Sequence, residues 1–578
     1  MLKPDYLASC TDEILGLYDE LDRAIIEDIA RRIVKTGGIS ATAEHQIDKV
    51  MQSGMLLTDV TKQISNVNAM SEQAVNNLFN EAGLLGLRND AQPLILAGIQ
   101  VDLQLSPTML QILEASIAKT NGDLKNLTLT TGTTATNAYM QAVNAAYMKV
   151  QSGAFSYQTA IRDAIKRAAT DGNYVSYSSG HRSQLDVAVR RSVLTGINQT
   201  AGKLTEMYAS DMGAEYYETS AHAGARPSHA LWQGRIFKIE GATAEYPNFE
   251  DETGYGTGDG LCGWNCRHSF YPFWIGLSQP AYTADKLAWY DAPRFEYNGD
   301  KLTEYEVSQL MRANEREIRA TKRDLAAYRA AIEASTDREL TEYLQTDFDQ
   351  SSMSLKNLEA KYKDLCKQTK HKTDSTRTGV VAIKDSNGKI LSWNQSTAQR
   401  AVHGAERAFQ KVISGTGADI GGPQTLAKRN ELRYNNKQES ELYDLYLKQV
   451  KNGTISPLST FGNYKNQYMS VENKIVGTTT SNGIHITGQS KHFIERVIGT
   501  VKDPKSGRPR SGVSVDDVAD ALQHPLEIKT KGNADNNTIS QKFIGTHATA
   551  SVNPDTGILI QCNPTKTKLK ERLSSNEE

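Results

Sequence analysis

Near the start of the chain, Ile14, Tyr18, Leu21, Ile25, Ile29 and Ile33 recur four, three, four, four and four residues apart, with charged residues between them. One apolar stripe at that spacing predicts an amphipathic helix over residues 7–36, closed by Gly37-Gly38. The same texture continues over 71–86, 106–122, 135–153, 156–172 and 182–213. Each of these segments carries Ser or Thr at or near its start and ends on Gly, and Pro is nearly absent. Residues 1–213 therefore read as a helical domain built from several capped helices.

At Ala214 the pattern changes. "AEYYETSAHAGARPSHALWQGRIFKIEG" alternates and is rich in aromatics, "ATAEYPNFEDETGYGTGDG" is a Gly-rich loop, and "WNCRHSFYPFWIG" is an aromatic strand. Residues 214–300 are expected to form a small β-rich module. Residues 301–372 return to helix. Val307, Leu310, Met311, Ile318, Leu325, Tyr328 and Ile332 form an apolar stripe among many Glu and Arg. That predicts a helical hairpin or coiled coil whose charges form a solvated face, followed by the polar linker "KQTKHKTDSTRTG".

Residues 373–578 mix loop, strand and helix. Ser514 stands as an N-cap with Asp517 at the third helical position and Pro525 beyond the end. The last strands alternate around Asn553–Gly557, which predicts a terminal hairpin. The expected class is a multidomain chain. It has a mostly α N-terminal region with a small β-rich module and a charged helical hairpin, then an α+β C-terminal domain.

Composition narrows the classes further. With 39% hydrophobic and 23% charged residues and a net charge of −2, the 578-residue chain has a soluble globular balance and no overall basic field. It contains no run of about 18 apolar residues that would cross a membrane. The acidic start lacks a signal peptide's apolar core, which predicts synthesis in the cytoplasm. Five scattered cysteines do not make a disulfide framework.

Candidate chemistry gathers first at "GDGLCGWNCRHSFYPFW". His222, His229, Cys262, Cys266 and His268 supply five potential zinc ligands, one more than a tetrahedral site needs, though not at knuckle spacing. The same residues also suit the packing of a module with a thin core. A catalytic thiol lacks an identifiable base, and a disulfide is disfavoured in a reducing compartment. A structural zinc and plain packing both stay open.

These residues also carry a resemblance. Arg226, Pro227, His229, Gly234 and Phe237 match an Arg-Pro-x-His-x-x-x-x-Gly-x-x-Phe segment. Asn265, Cys266 and Arg267 match an Asn-Cys-Arg-Cys segment, with His268 in place of the final Cys. Together they resemble phage head-morphogenesis proteins of the Mu F-like type. Residues 1 to about 370 are similar to the minor capsid protein family of tailed phages of Gram-positive hosts, notably in "LKPDYLASCTDEILGLYDELDRAIIEDIARRI" and "TEYEVSQLMRANEREIRATKRDL". The resemblance implies a structural protein of the virion, present in few copies near the portal. Its implied partners are the portal or major capsid protein, with the host cytoplasm as the place of assembly and no enzymatic role for this part.

The C-terminal domain has a polar set of its own. His485 falls on a predicted strand, and His492 and Arg496 lie four apart on a predicted helix. Thr549, Ser551, Thr565 and Lys568 come from the last hairpin and the residues after it. His, Arg, Lys and hydroxyl groups are the types that metal-independent RNA cleavage needs, and no acidic cluster of the metal-nuclease kind stands nearby. The order of helices, HxxxR and a hairpin ending in Asn-Pro-Thr resembles phage-borne relatives of the barnase–EndoU–colicin–RelE ribonuclease fold. That likeness implies a nuclease without a cofactor, with His485, His492, Arg496, Thr549, Ser551, Thr565 and Lys568 as the catalytic set. Five of these residues have a plainer role available: a solvated helix face for His492 and Arg496, a half-buried strand position for His485, an end cap for Thr565 and Lys568. Lys491, Arg496, Lys502, Lys505, Arg508 and Arg510 stand against only Glu495 and Asp503. That local charge suits an RNA substrate, and equally packaged DNA or a non-catalytic nucleic-acid- or host-protein-binding module.

Overall fold

A computed structural model describes residues 1–35, 43–172, 174–177, 179–379, 382–384, 390–393, 395–414, 417, 421–456, 458–503, 507–533, 538–567, 569 and 572. The chain forms two compact units, Met1–Ala405 and Glu406–Glu578.

The first unit is a bundle of long helices. The first predicted helix is divided into Pro4–Ser9 and Asp12–Lys35, with Thr11 buried at the break. Its expected Gly37-Gly38 stop lies outside the described residues. The predicted stops at Gly86 and Gly122 do not occur. Ala43–Leu96 is one helix of 54 residues and Pro107–Gln151 one of 45, so the first alone is about 80 Å long. A glycine ends a helix by turning left-handed, and these two do not. Gly98 and Gly153 do, with φ of 79° and 69°, just past the observed ends. The apolar stripe simply continues through Gly122, from Leu113 to Leu124, Ala135 and Tyr139. Ser106 and Ser156 cap the helices they were expected to cap, each accepting from the backbone N–H three residues on. Close packing explains other glycines. A Cβ on Gly196 would lie 2.5 Å from Thr120 Oγ1 on the neighbouring helix.

The charged hairpin consists of Glu304–Ala334 and Arg338–Gln368. Thr303 and Glu306 form a reciprocal capping box at its start, and Asp337 caps its second helix. Its stripe does not close only on itself. Ile318, Leu325, Tyr328, Leu344, Phe348 and Tyr362 belong to the same buried core as Ile14, Ile25 and Ile33. Ion pairs follow this docking: Arg162 meets Asp347, with Nε to Oδ2 at 2.7 Å, and Arg319 meets Asp186. The polar segment after the hairpin is tied back as well. His371 Nε2 lies 2.8 Å from Glu304 Oε1, and Lys322 Nζ donates to Thr378 O at 3.0 Å. The carboxylate raises the His371 pKa above the ordinary imidazole value.

In chain order the small β module comes between bundle and hairpin. Tyr216–Thr219 is flanked by Ile236–Lys238 and Phe270–Phe273 in a three-stranded antiparallel sheet. Tyr217, Trp232, Phe237, Phe249 and Phe270 fill its core. The helix Leu185–Asp211 holds the module through Asn198, whose Nδ2 donates to the carbonyls of Cys266 at 3.1 Å and His268 at 2.8 Å.

The second unit is α+β, as the class expected. Helices Lys437–Lys451 and Phe461–Lys474 pack through Tyr443, Tyr446, Phe461 and Tyr464, and Arg429 of the helix Leu426–Asn435 lies over the Tyr443 ring. A five-stranded sheet runs in the order Gly488–Gln489, Ile558–Pro564, Ala548–Val552, Thr538–Ile544, Glu527–Asn533. Only the first pair is parallel. The terminal hairpin turns where predicted. Asn553 Oδ1 accepts from the N–H groups of Asp555 and Thr556, and Gly557 takes φ of 69°. Ser514 caps Val515–Gln523 through the Asp517 N–H. The outer hairpin beginning at Glu527 is not legible in the sequence. Lys529, Lys531 and Gly532 give it edge-strand polarity rather than apolar alternation.

Because the hairpin shares the bundle's core, Leu344→Ala, at a fully buried position, should destabilise the whole first unit by about 2–5 kcal/mol. Calorimetry of the full chain should show that unit's transition shifting as one. A separate hairpin transition, with the rest unmoved, would contradict a common core.

Candidate metal centre and polar clusters

The Gly-rich loop delivers Cys266 by tight turns. Gly254, at φ 62°, ends the short helix Phe249–Thr253, and Trp264 N–H returns to Gly258 O at 2.7 Å. Side chains would block this path. A Cβ on Gly260 would lie 1.9 Å from Gly254 O, and one on Gly263 2.3 Å from Gly258 O. Cys262 and Asn265 themselves take positive φ, 59° and 54°, a conformation that costs energy for residues with a Cβ.

Three buried side chains then converge. His229 comes from the helical turn Pro227–Ala230, Cys266 from the loop, and His268 from the approach to Phe270–Phe273. His229 Nδ1 lies 3.4 Å from His268 Nδ1, and Cys266 Sγ lies 3.7 Å from each. Both tautomers are set from behind. His229 Nε2 is 2.8 Å from Asp259 O, and His268 Nε2 is 3.1 Å from Gln233 Oε1, an oxygen that also accepts from His222 N–H. Each Nε2 therefore carries the proton, and each Nδ1 presents a lone pair to the shared space.

Two of the five expected ligands stand outside this trio. Among the described residues, His229, Cys266 and His268 form the one set of three or more His, Cys, Asp or Glu residues whose ligand atoms all lie within 4.8 Å of one another. His222 instead stacks on His268, with centroids 4.4 Å apart, and its Nδ1 bonds to Ala223 O. Cys262 Sγ lies 3.8 Å from His268 O, beneath the cluster. Burial keeps all of these groups neutral. It lowers the pKa of His229 and His268, holds His222 down at about 4, and raises both thiols. A buried thiol with a raised pKa is a poor nucleophile, which argues against Cys262 or Cys266 as one.

Beside the trio opens a cavity of ≈ 1180 Å³, lined in part by His229, Cys266, His268, Arg226, Arg267 and Arg312. Arg226 donates to Trp264 O at 2.6 Å. Burial lowers the Arg267 pKa to about 10 and lowers that of Arg312. Glu304, which senses the Arg267 charge, makes its ion pairs with His371 and Arg294. The sequence reading missed this basic lining. Its arginines come from the helix at 191, the loop at 226, the strand approach at 267 and the hairpin at 312, with no run of positive charge across them to reveal the lining.

In the second unit, Arg496, Thr549 and Thr565 fall in one neighbourhood. Arg496 pairs with Asp503 at 2.7 Å, Arg510 Nε meets the same carboxylate at 3.1 Å, and Arg510 donates to Asn563 Oδ1 at 3.1 Å. Asn563 pairs across the sheet with Thr549, whose hydroxyl lies 3.1 Å from that of Thr565. Ser551 is two residues along the same strand, opposite Gln561. His485 is elsewhere. It is exposed, and its backbone sits against Gly557 at the far end of the last strand, roughly 25 Å of extended chain from Thr565. His492 and Arg496 diverge. His492 is the N-cap of Phe493–Ile498, 75% exposed beside Glu495, whereas Arg496 turns inward to Asp503. Lys568 lies outside the described residues. Asp503, Arg510 and Asn563 are the members that the sequence did not assign to the catalytic set. Asp503 and Arg510 left a trace only in the count of local charges, and Asn563 only in the Asn-Pro-Thr end of the hairpin.

The first unit is thus a long helical bundle, braced by a hairpin from far along the chain and carrying a small β module whose two thiols are buried. Residues 2–367 match the family model described as phage minor capsid protein 2, and the chain belongs to that family. A relative named "Structural protein", from Lactococcus phage LL-H, is 24% identical over 294 residues, covering 48% of this chain and 76% of its own length. No solved structure matches. The match to the family ends before the second unit begins. No helix among the described residues is long and apolar enough to cross a membrane.

Gly260→Ala should open the loop, because the new methyl group meets backbone, which cannot rotate away. Iodoacetamide at neutral pH should leave Cys262 and Cys266 unmodified in the parent chain and alkylate both in the variant, as read by peptide mass mapping. Equal labelling of the two proteins would remove the glycine path as the device that buries these thiols.

Proposed function

We propose that the first unit is an assembly scaffold of the phage head. It docks on the portal or the major capsid protein as the particle forms in the host cytoplasm. The family supports a place among virion proteins. The observation that favours docking is apolar exposure around the turn between the two longest helices. Ile95, Leu96, Ile99, Leu103 and Leu110 are all exposed there, Leu96 by 78%. Five exposed apolar side chains gathered within one turn and the helix ends beside it favour a contact with another protein. Leu96→Asp with Ile99→Asp should leave the circular dichroism spectrum unchanged. In a phage complementation assay, the same double variant should drop from purified heads to background on an immunoblot. Wild-type incorporation would exclude this surface.

For the second unit the reading is metal-independent RNA binding and cleavage. The grouping of Arg496, Arg510, Asn563, Thr549 and Thr565 supports it, since guanidinium and hydroxyl donors suit the charge that builds on a phosphodiester in its transition state. The exposed His547 lies two residues before Thr549, and its carbonyl accepts from Thr565 N–H, so its backbone borders the group and its imidazole is the candidate proton acceptor. The full-length chain incubated with tRNA in EDTA should cleave it. Arg510→Ala and His547→Ala should each lower the rate about 10²-fold or more. Intact tRNA that is nonetheless retarded on a gel would favour the non-catalytic binding module.

A further inference from the structure

The buried trio in the first unit has an acceptor problem that protein atoms do not solve. Two imidazoles donate through Nε2 to fixed partners, so their Nδ1 lone pairs face each other at 3.4 Å with no proton between them. The Cys266 thiol holds one hydrogen and can serve only one of them. One acceptor is then left unpaired in a site where His229 and His268 are each only 2% exposed. A cation placed between the three atoms satisfies all of them.

The spacing is that of a filled tetrahedron. Zinc bonds of about 2.0–2.1 Å to nitrogen and about 2.3 Å to sulfur separate ligand nitrogens by roughly 3.3–3.4 Å, and nitrogen from sulfur by roughly 3.6 Å. The observed separations are 3.4, 3.7 and 3.7 Å. Imidazole and thiolate donors without a carboxylate select zinc over magnesium or calcium. Asp259 O and Gln233 Oε1 behind the rings are the outer partners such a centre requires.

We propose that His229 Nδ1, Cys266 Sγ and His268 Nδ1 hold one zinc ion whose fourth position faces the arginine-lined cavity and takes an anionic oxygen. Binding deprotonates Cys266, and the thiol proton leaves to solvent as the zinc–sulfur bond forms. Zinc with one thiolate retains a single positive charge beside Arg226 and Arg267. An oxyanion in the fourth position cancels that charge, and Arg267 and Arg312 are among the residues lining the cavity that position faces. His222 and Cys262, whose contacts turn them to Ala223 O and His268 O, leave that position open. The site is independent of the docking and nuclease readings above.

The test uses the full-length chain purified without chelators. Elemental analysis should find one zinc per chain. Cys266→Ser and His268→Ala should lose it, and Cys562→Ser should keep it. Replacing zinc with cobalt should give a thiolate charge-transfer band and the intense visible bands of tetrahedral cobalt, a readout that does not depend on any variant folding. Adding inorganic phosphate or acetate should shift those visible bands, and the anion that shifts them at the lower concentration identifies the preferred oxyanion. A wild-type chain that stays metal-free after dialysis against zinc chloride, or a Cys266→Ser chain that keeps a full zinc, would overturn the centre. Cobalt bands that neither anion moves would overturn the open fourth position.

Discussion

The burial of the helix Asp12–Lys35 organises the first unit. Ile14, Leu15, Tyr18, Leu21, Ile25, Ile26, Ile29 and Ile33 are buried, and they occupy more than one side of the helix. A helix with that much apolar surface cannot rest on the bundle's edge. It needs partners around it, and part of that cover comes from the hairpin at residues 304–368, close to three hundred residues further along the chain. Everything between those two points is thereby enclosed in one structure. The small β module is held against the bundle by the same closure, and its loop can be thin because Asn198 from the bundle satisfies two of its carbonyls.

That closure has an electrostatic cost. Docking a charged hairpin on a bundle brings carboxylates and guanidinium groups out of water together. Asp19 shows it: burial and the neighbouring Asp186 raise its pKa to about 8, against the pull of Arg319 and Arg323. Ion pairs in such places set register more than they add stability. The cavity beside the Cys/His trio is the other side of the same balance. Arg226, Arg267 and Arg312 meet there because three separate segments meet there. The net charge of −2 over the whole chain hides a local basic field.

The family match ends before the second unit begins. Its sheet positions hydroxyl, amide and guanidinium groups by cross-strand register, as Thr549 opposite Asn563 illustrates. Arg496 and Arg510 share one buried carboxylate, Asp503. A shared counter-charge holds two guanidinium groups close together without leaving either bare, a suitable base for meeting a phosphate.

Periodicity and capping chemistry were legible from the residues alone. The stripe from Ile14 to Ile33, the Ser106, Ser156 and Ser514 caps, and the Asn553–Gly557 turn are local signals, readable within a few residues of where they act. Helix length was not, because a glycine stops a helix only if its backbone turns left-handed, and packing along Leu113–Tyr139 keeps Gly122 helical. Of the five metal-ligand candidates, residue type and spacing could nominate all and rank none. Which three converge depends on the path of a glycine loop, on second partners such as Gln233, and on a stacking contact that turns His222 aside. Those are long-range geometric facts, and short-range pattern does not encode them: side-chain chemistry belongs to the residue, but the distance between two residues belongs to the fold.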